Sequence, residues 1–370
     1  MPSHTHARRP SKRTKAAVAV TLGTALASGA LFAGVQSATA GPSETPTMNE
    51  SFDSAAEKYD VPRDVLAAVG YGETHFDGHN GKPSQAHGFG VMHLVSNPSR
   101  HTLEQAAKIT GKSAAELRKD TDANIHGGAA VLRAYADKLG LSKAERDDVD
   151  KWYPAVAGYS GAKGVTARMY ADSVYEFLKE GVRGTSPDGE RVKIAARAVH
   201  PDKSEVDASG VGAKAPGYPG AKWVPANSAN FRSGRTAKVN QIVIHVTQGS
   251  YAGTINWFQN PSAKVSAHYV VRSKDGEITQ MVYNKDTAYH VGNANPSTLG
   301  IEHEGYVDDA SWFTDSMYRS SAKLTRALAK AHGIPLDRKH IVGHNEVPGN
   351  DHTDPGKHWN WQKYMELVKG

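Results

Sequence analysis

The 370-residue chain contains no cysteine. That excludes disulfides, thiolate metal sites and a cysteine nucleophile. Beyond the first forty residues it has no run apolar enough to cross a bilayer. A strong charge of one sign is also missing where it would count. The net charge is +6, but Arg8, Arg9, Lys12, Arg13 and Lys15, with no acid among residues 1–40, account for +5 of it and leave +1 for the remainder. The basic balance therefore gives no case for a nucleic-acid partner. No internal repeat is visible.

What is present is an ordinary hydrophobic content and enough length for two domains with their own cores. The cationic start is followed by an apolar run from Ala16 to Ala33 and by the small residues Ala38-Thr39-Ala40. This is the layout of a secretory signal peptide over residues 1–40. Thr21, Gly23, Thr24, Ser28 and Gly29 interrupt the run and argue against a membrane anchor. Pro10 weakens Arg8-Arg9 as a twin-arginine signal. The expectation is a secreted, cell-wall-associated protein with no membrane attachment in its mature form, and nothing calls for more than a monomer. Residues 41–50, polar and with two prolines, read as a flexible start.

From about Ser51 to Gly181 the periodicity is helical. Phe52, Ala55, Ala56 and Tyr59 share a face, as do Ile125, Ala129, Leu132 and Tyr135. Thr102…Gln105, Ser113…Glu116 and Ser142…Glu145 have the spacing of capping boxes. Residues 51–181 are thus expected to form an all-α domain. Residues 182–221 are rich in Gly, Pro, Ser, Ala and Lys and read as a linker, with one strand possible within 191–199. From residue 222 to 370 the pattern is mixed α/β. Gln241 to Thr247 reads as a buried central strand interrupted by His245, and Lys274-Asp275-Gly276 as a hairpin turn. Ser316 to His332 reads as an amphipathic helix. The fold class expected is multidomain, with an all-α part followed by an α/β part built on a mixed sheet flanked by helices.

The densest chemistry lies in the loop His344 to Gly356. It holds two histidines and several carboxylates, and Pro348, Gly349, Pro355 and Gly356 keep it from being a helix or strand. It follows a short apolar run, Lys339 to Gly343, so its side chains are held at the end of a rigid strand. A hydrolytic zinc site takes three protein ligands and leaves one position open. His344 and Asp354 on this loop, with His245 on its strand, are the candidate ligands, and His352 is the candidate for work on substrate. Taken singly, His245 reads equally as a core histidine and His344 as an ordinary loop residue.

At this point the sequence resembles a known family. Residues 223–368 are similar to the zinc-dependent N-acetylmuramoyl-L-alanine amidases, which share a fold with peptidoglycan recognition proteins. The matching pieces, in family order, are Ile244-His245-Val246-Thr247, Val265-Ser266-Ala267-His268-Tyr269, Asp275-Gly276, Ala288-Tyr289-His290-Val291-Gly292-Asn293, Leu299-Gly300-Ile301-Glu302, and Gly343-His344 through Thr353-Asp354-Pro355-Gly356. The resemblance implies Zn2+ held by His245, His344 and Asp354, with Glu302 as catalytic glutamate and Glu304 as its rival on the same strand. His352 falls where relatives carry lysine or histidine. Zinc would lower the pKa of its water toward ~7, Glu302 would move the proton, and His352 would stabilise the oxyanion. His268, His290 and Asn293 are expected to line the groove and bind substrate. The implied partner is peptidoglycan, both glycan strand and stem peptide.

A second, looser resemblance covers residues 51–180. Glu73 at the end of an apolar helix, Gly88 to Leu94, Asn124 to Ala129 and Ala157 to Gly161 resemble the lysozyme-like lytic transglycosylases, in which such a glutamate acts as general acid. His93 stands where glutamine is usual and Ser160 where asparagine is usual. Glycan cleavage through Glu73 and glycan binding without cleavage both remain open. So do two alternatives for the whole chain: a non-catalytic peptidoglycan binder, and a glycan-cleaving enzyme whose amidase-like part only binds.

Overall fold

Helix starts in this chain are set by short polar side chains. Thr47 accepts from the Glu50 amide while the Glu50 carboxylate accepts from the Thr47 amide, a reciprocal cap on the first helix. The computed structural model describes residues 45–207, 209, 213–350 and 352–370. The expected signal peptide lies outside the described residues. Of the expected flexible start, residues 48–50 are helical instead, because the Glu190 carboxylate accepts from the Met48 and Asn49 amides.

The first half is helical, with α1 (Met48–Tyr59), α2 (Arg63–Thr74), α3 (Thr102–Thr110), α4 (Ala114–Lys119), α5 (Thr121–Lys138), α6 (Lys143–Arg146), α7 (Tyr153–Tyr159) and α8 (Gly164–Glu180). A small antiparallel sheet, β1 (Gly88–Phe89), β2 (Leu94–Asn97) and β3 (Arg100–His101), sits among them. Phe52, Leu66, Val69, Leu103, Ile125, Leu132, Trp152 and Leu178 are fully buried and form its core. Ser113 and Ser142 make the capping boxes expected of them. Thr102 does not, because its hydroxyl accepts from the Val95 amide of β2 instead.

Residues 182–221 are not the free linker their composition suggests. β4 (Val182–Thr185) and β5 (Arg191–Ile194) pair antiparallel, Val182 opposite Ile194, and bury Val182, Val192 and Ile194 on the helical core. The alternation of buried and exposed residues in β5 supplies this apolar face. Further on, Lys214 bridges to Lys222 and Ala215 is buried against the second half. Residues from Pro46 to Gly370 form one compact unit rather than two separated domains.

The second half contains β6 (Lys222–Trp223), β7 (Phe231–Arg232), β8 (Gln241–Val246), α9 (Tyr251–Gln259), β9 (Tyr269–Val271), β10 (Ile278–Gln280), β11 (Thr287–Ala288), β12 (Thr298–His303), α10 (Asp315–His332), β13 (Ile341–Gly343) and α11 (Trp361–Lys369). Its sheet is mixed, in the order β13-β8-β12-β9-β10-β6. β13, β8, β12 and β9 run parallel, and β9 and β10 form the antiparallel hairpin expected around Asp275-Gly276. Strand alternation sorts the side chains by face. Ile242, Ile244, Leu299, Ile301 and Ile341 pack with Leu324 and Leu328 of α10 and Tyr364 and Val368 of α11. The opposite face of β8 and β12 carries Val243, His245, Gly300 and Glu302, and it opens on the cleft.

Candidate metal and catalytic centre

β8 and β12 are parallel and in register, with His245 opposite Glu302. The pairing puts both side chains on the cleft face, at the carboxyl ends of their strands, where open α/β sheets bind ligands. β13 lies on the other side of β8 and delivers His344 immediately after Gly343. The loop that follows is closed on itself. Asn345 N donates to Asp354 O at 3.0 Å, and the Glu346 carboxylate accepts from Gly343 N at 2.6 Å. Arg338 pairs with Glu346 from outside. Asp354 precedes a cis proline, Pro355.

The three candidate ligands converge. His245 Nδ1 lies 3.0 Å from His344 Nδ1 and 3.2 Å from Asp354 Oδ2, and His344 Nδ1 lies 3.1 Å from Asp354 Oδ1. All three are buried, at 2%, 5% and 6% exposure. Bonds of 2.0–2.1 Å in a tetrahedral site put neighbouring ligand atoms roughly 3.3 Å apart, so this triangle is close to the size such an ion needs. His344 Nε2 donates to Asn350 Oδ1 at 2.7 Å, which leaves Nδ1 as the bare nitrogen facing the other two groups. The donor set fits a divalent ion of zinc's preferences.

The electrostatics agree with that chemistry. Burial works to raise the Asp354 carboxyl, but the three imidazoles set around it, His245, His344 and His352, outweigh burial and hold it well below the usual carboxylate range. Burial pushes His245 down, against the pull of Asp354, so it stays neutral. Glu302 is 5% exposed, and its Oε2 has no hydrogen-bond partner among the described residues. Burial and the nearby Asp354 charge push its carboxyl well above the usual range, as a proton-shuttling acid requires. His352 stands at the rim, its side chain 59% exposed, with Nδ1 3.6 Å from Asp354 Oδ1 and its ring stacked on His344 at 4.2 Å. These residues line one cleft of about 850 Å³ together with Gln248, Tyr289, His290 and Asn295.

Other expected residues lie elsewhere. Glu304 is 8% exposed and takes two backbone donors, Tyr251 N at 2.8 Å and Ser273 N at 2.7 Å. It caps α9 and ties β9's end to β12, and it does not line the cleft. His268 is fully buried, accepting from Gly300 N on Nδ1 and facing Arg235 and Asp286 O on Nε2. Burial holds it down to about 3, and it forms no part of the groove wall. Asn293 is exposed but off the cleft, and the neighbouring Asn295 lines it. His290 is half-buried and reaches the cleft, where its Nδ1 lies 2.9 Å from His245 Nε2.

Glu73 is not at a cleft. It is 1% exposed and sealed between the two halves. Tyr170 Oη and Ser250 Oγ each donate to it at 2.9 Å, and His93 Nδ1 lies 3.3 Å away. Ser250 precedes α9 yet makes no side-chain cap, because its hydroxyl is turned to Glu73.

The sequence profile of the N-acetylmuramoyl-L-alanine amidase family matches residues 235–357, which contain the cleft residues from His245 to Asp354. Over 167 residues the chain is 40% identical to N-acetylmuramoyl-L-alanine amidase A of Achromobacter lyticus, covering 40% of this chain and 94% of that protein. It is 36% identical over 115 residues to the 1,6-anhydro-N-acetylmuramyl-L-alanine amidase AmpD of Haemophilus influenzae, covering 29% of this chain and 60% of that one. Among solved structures, a selenomethionine AmpD derivative aligns with a TM-score of 0.36 at 26% identity, over 42% of this chain and 99% of that one. A hydrolase of amide bonds is the class that the matched profile and the two sequence relatives define. The chain belongs to the N-acetylmuramoyl-L-alanine amidase family.

Proposed function

We propose that this chain is a secreted, zinc-dependent peptidoglycan amidase that hydrolyses the bond between the lactyl group of N-acetylmuramic acid and L-alanine of the stem peptide. The convergence of His245, His344 and Asp354 beside the orphaned Glu302 carboxyl carries this reading. His245, His344 and Asp354 would hold the ion, which supplies Lewis acidity toward the carbonyl and water. Glu302 takes a proton from the attacking water and returns it to the leaving alanine nitrogen, so water's hydroxyl ends on the lactyl carbonyl and its hydrogen on the amine. His352, at the rim, donates to the oxygen that becomes negative in the transition state. The leader in residues 1–40 supports export. The sealing of Glu73 favours glycan contact over glycan cleavage in the helical half.

The test is metal analysis of the purified chain together with mass spectrometry of digested cell wall. Zinc near one equivalent and new alanine amino termini are expected, and His344→Ala should lose both. Full hydrolysis by that variant, or new reducing or anhydro ends without new amino termini, would overturn the reading.

A further inference from the structure

His290 has no part in the hydrolysis just described, yet it touches a ligand. Its ring meets His245 edge-on, with centroids 5.1 Å apart and planes at 84°. Its place is built with care. Asn295 Oδ1 accepts from both the His290 and Val291 amides, at 3.0 and 2.7 Å. The ring lies over Gly300 of β12, where an added Cβ would come within 2.6 Å of His290 Nδ1. Glycine at 300 is what lets the imidazole reach across the strand to β8.

The hydrogen-bond directions along this chain of groups are determined from its outer end. Thr298 Oγ1 lies 2.9 Å from Ala294 O, an oxygen that only accepts, so the single hydroxyl hydrogen goes there. Oγ1 then offers only lone pairs to His290 Nε2 at 3.1 Å, and Nε2 must carry the proton. In a neutral ring Nδ1 is then bare, and it accepts from His245 Nε2 at 2.9 Å. His245 therefore keeps its proton on Nε2 and presents a bare Nδ1 to His344 and Asp354.

We infer that Thr298 and His290 form a positioning relay that holds His245 in its metal-binding tautomer. The inference rests on the zinc reading above, in that the ion is what the tautomer serves. Reversed, the relay would place a proton on His245 Nδ1, inside the triangle of ligand atoms, and exclude a cation. Partners of this kind orient metal-bound histidines, and their loss typically costs 10–100-fold in metal affinity.

The experiment compares wild type, His290→Leu, His290→Asn and Thr298→Val in chelator-competition titrations with zinc alone. It adds the ring 15N shifts of His245 in the metal-free proteins. Leucine keeps the bulk of the ring and removes the acceptor, while asparagine loses bulk and keeps an acceptor oxygen near the position of Nδ1. The relay predicts roughly 10–100-fold weaker zinc binding for His290→Leu and affinity within a few-fold of wild type for His290→Asn. A packing role predicts the reverse order, and that order would overturn the relay. Thr298→Val is close to isosteric and serves if His290→Leu fails to fold. It should weaken zinc binding and raise the share of His245 protonated on Nδ1, and no change in either would overturn the relay. A wild type that binds no zinc would sink the zinc reading, while its 15N shifts would still show whether His245 is held as the Nε2–H tautomer.

Discussion

Glu302→Gln separates the catalytic role proposed for this side chain from its structural cost. The carboxyl is buried, its Oε2 has no partner among the described residues, and burial with the Asp354 charge pushes its pKa well above the ordinary 4.5. The metal-free fold therefore favours its protonated form more than the unfolded chain does. Favouring the protonated form costs the fold stability as pH climbs above 4.5. Glutamine removes that cost but leaves an amide with few partners, at about 1–3 kcal/mol. The amide's cost is therefore felt in full at low pH and is offset as pH rises. The pH dependence is the sharper signature. Because the folded pKa is raised, the wild type loses stability as pH climbs above 4.5, and the variant does not. The stability of the variant relative to wild type should be level below pH 4.5 and rise above it, in melting curves recorded with a chelator. Turnover should fall by about 10²–10⁴, measured as new alanine amino termini. A fully active variant, or a stability difference independent of pH, would refute the assignment of Glu302 as a buried proton shuttle.

Three further outcomes are expected. His352→Ala should lower turnover by roughly 10²–10³ while zinc affinity stays within a few-fold, since its side chain is 59% exposed at the rim; unchanged turnover would remove it from the mechanism. His268 and His303 are both held down to about 3, first by burial and, for His268, also by Arg235. A depressed folded pKa means stability that is present above about 6.5 and is lost as pH falls toward 3. At pH 4.5 each costs on the order of 2–3 kcal/mol, so the metal-free wild type should lose stability relative to a His303→Gln variant between pH 7 and 4.5 in urea titrations; a difference that does not change with pH would contradict the burial argument. Glu73→Gln should leave the products from purified glycan strands unchanged and lower stability by about 1–2 kcal/mol, because an amide cannot accept from both Tyr170 and Ser250 as the carboxylate does. Loss of a glycan-cleaving activity in that variant would restore a catalytic role.

Much of the second half is legible in the sequence because its strands are unambiguous. The apolar run around His245 can only be a central strand, and the parallel register of β8 with β12 follows once both are buried on two faces. The loop after β13 announces its candidate ligands by composition. What the sequence does not show is how polar side chains divide between cleft and core. Glu302 and Glu304 sit on the same face by alternation, yet β12 ends at His303, and the chain beyond it turns Glu304 toward the amides of Tyr251 and Ser273. His268 and His290 occupy similar histidine-bearing motifs, but the first is drawn into a cluster with Arg235 and only the second reaches His245. Thr298, Asn295 and Asn350 carry no signal of their own, because a hydroxyl or amide gains meaning only from the group placed opposite it. The hairpin in 182–194 was hidden by composition, since its apolar residues are few and its turn resembles a linker.

The position of Ser250 decides how the two halves relate. The strand that carries His245 is followed within a few residues by the start of α9, and the hydroxyl that would cap this helix is spent on Glu73 instead. Glu304 takes over the cap by accepting from Tyr251 N. One short segment therefore links the strand of His245, the cap of α9 and Glu73, the buried acid at the end of α2. A free glycan cleft at Glu73 would require Ser250 to withdraw, which would leave a carboxylate without one of its donors in a buried site and open the junction where His75 stacks on Trp312 at 3.5 Å and Lys274 pairs with Glu176 and Glu180. Burying an acid without its full set of donors is costly. The arrangement thus favours a joined body in which the helical half is fixed beside the amidase site rather than tethered to it.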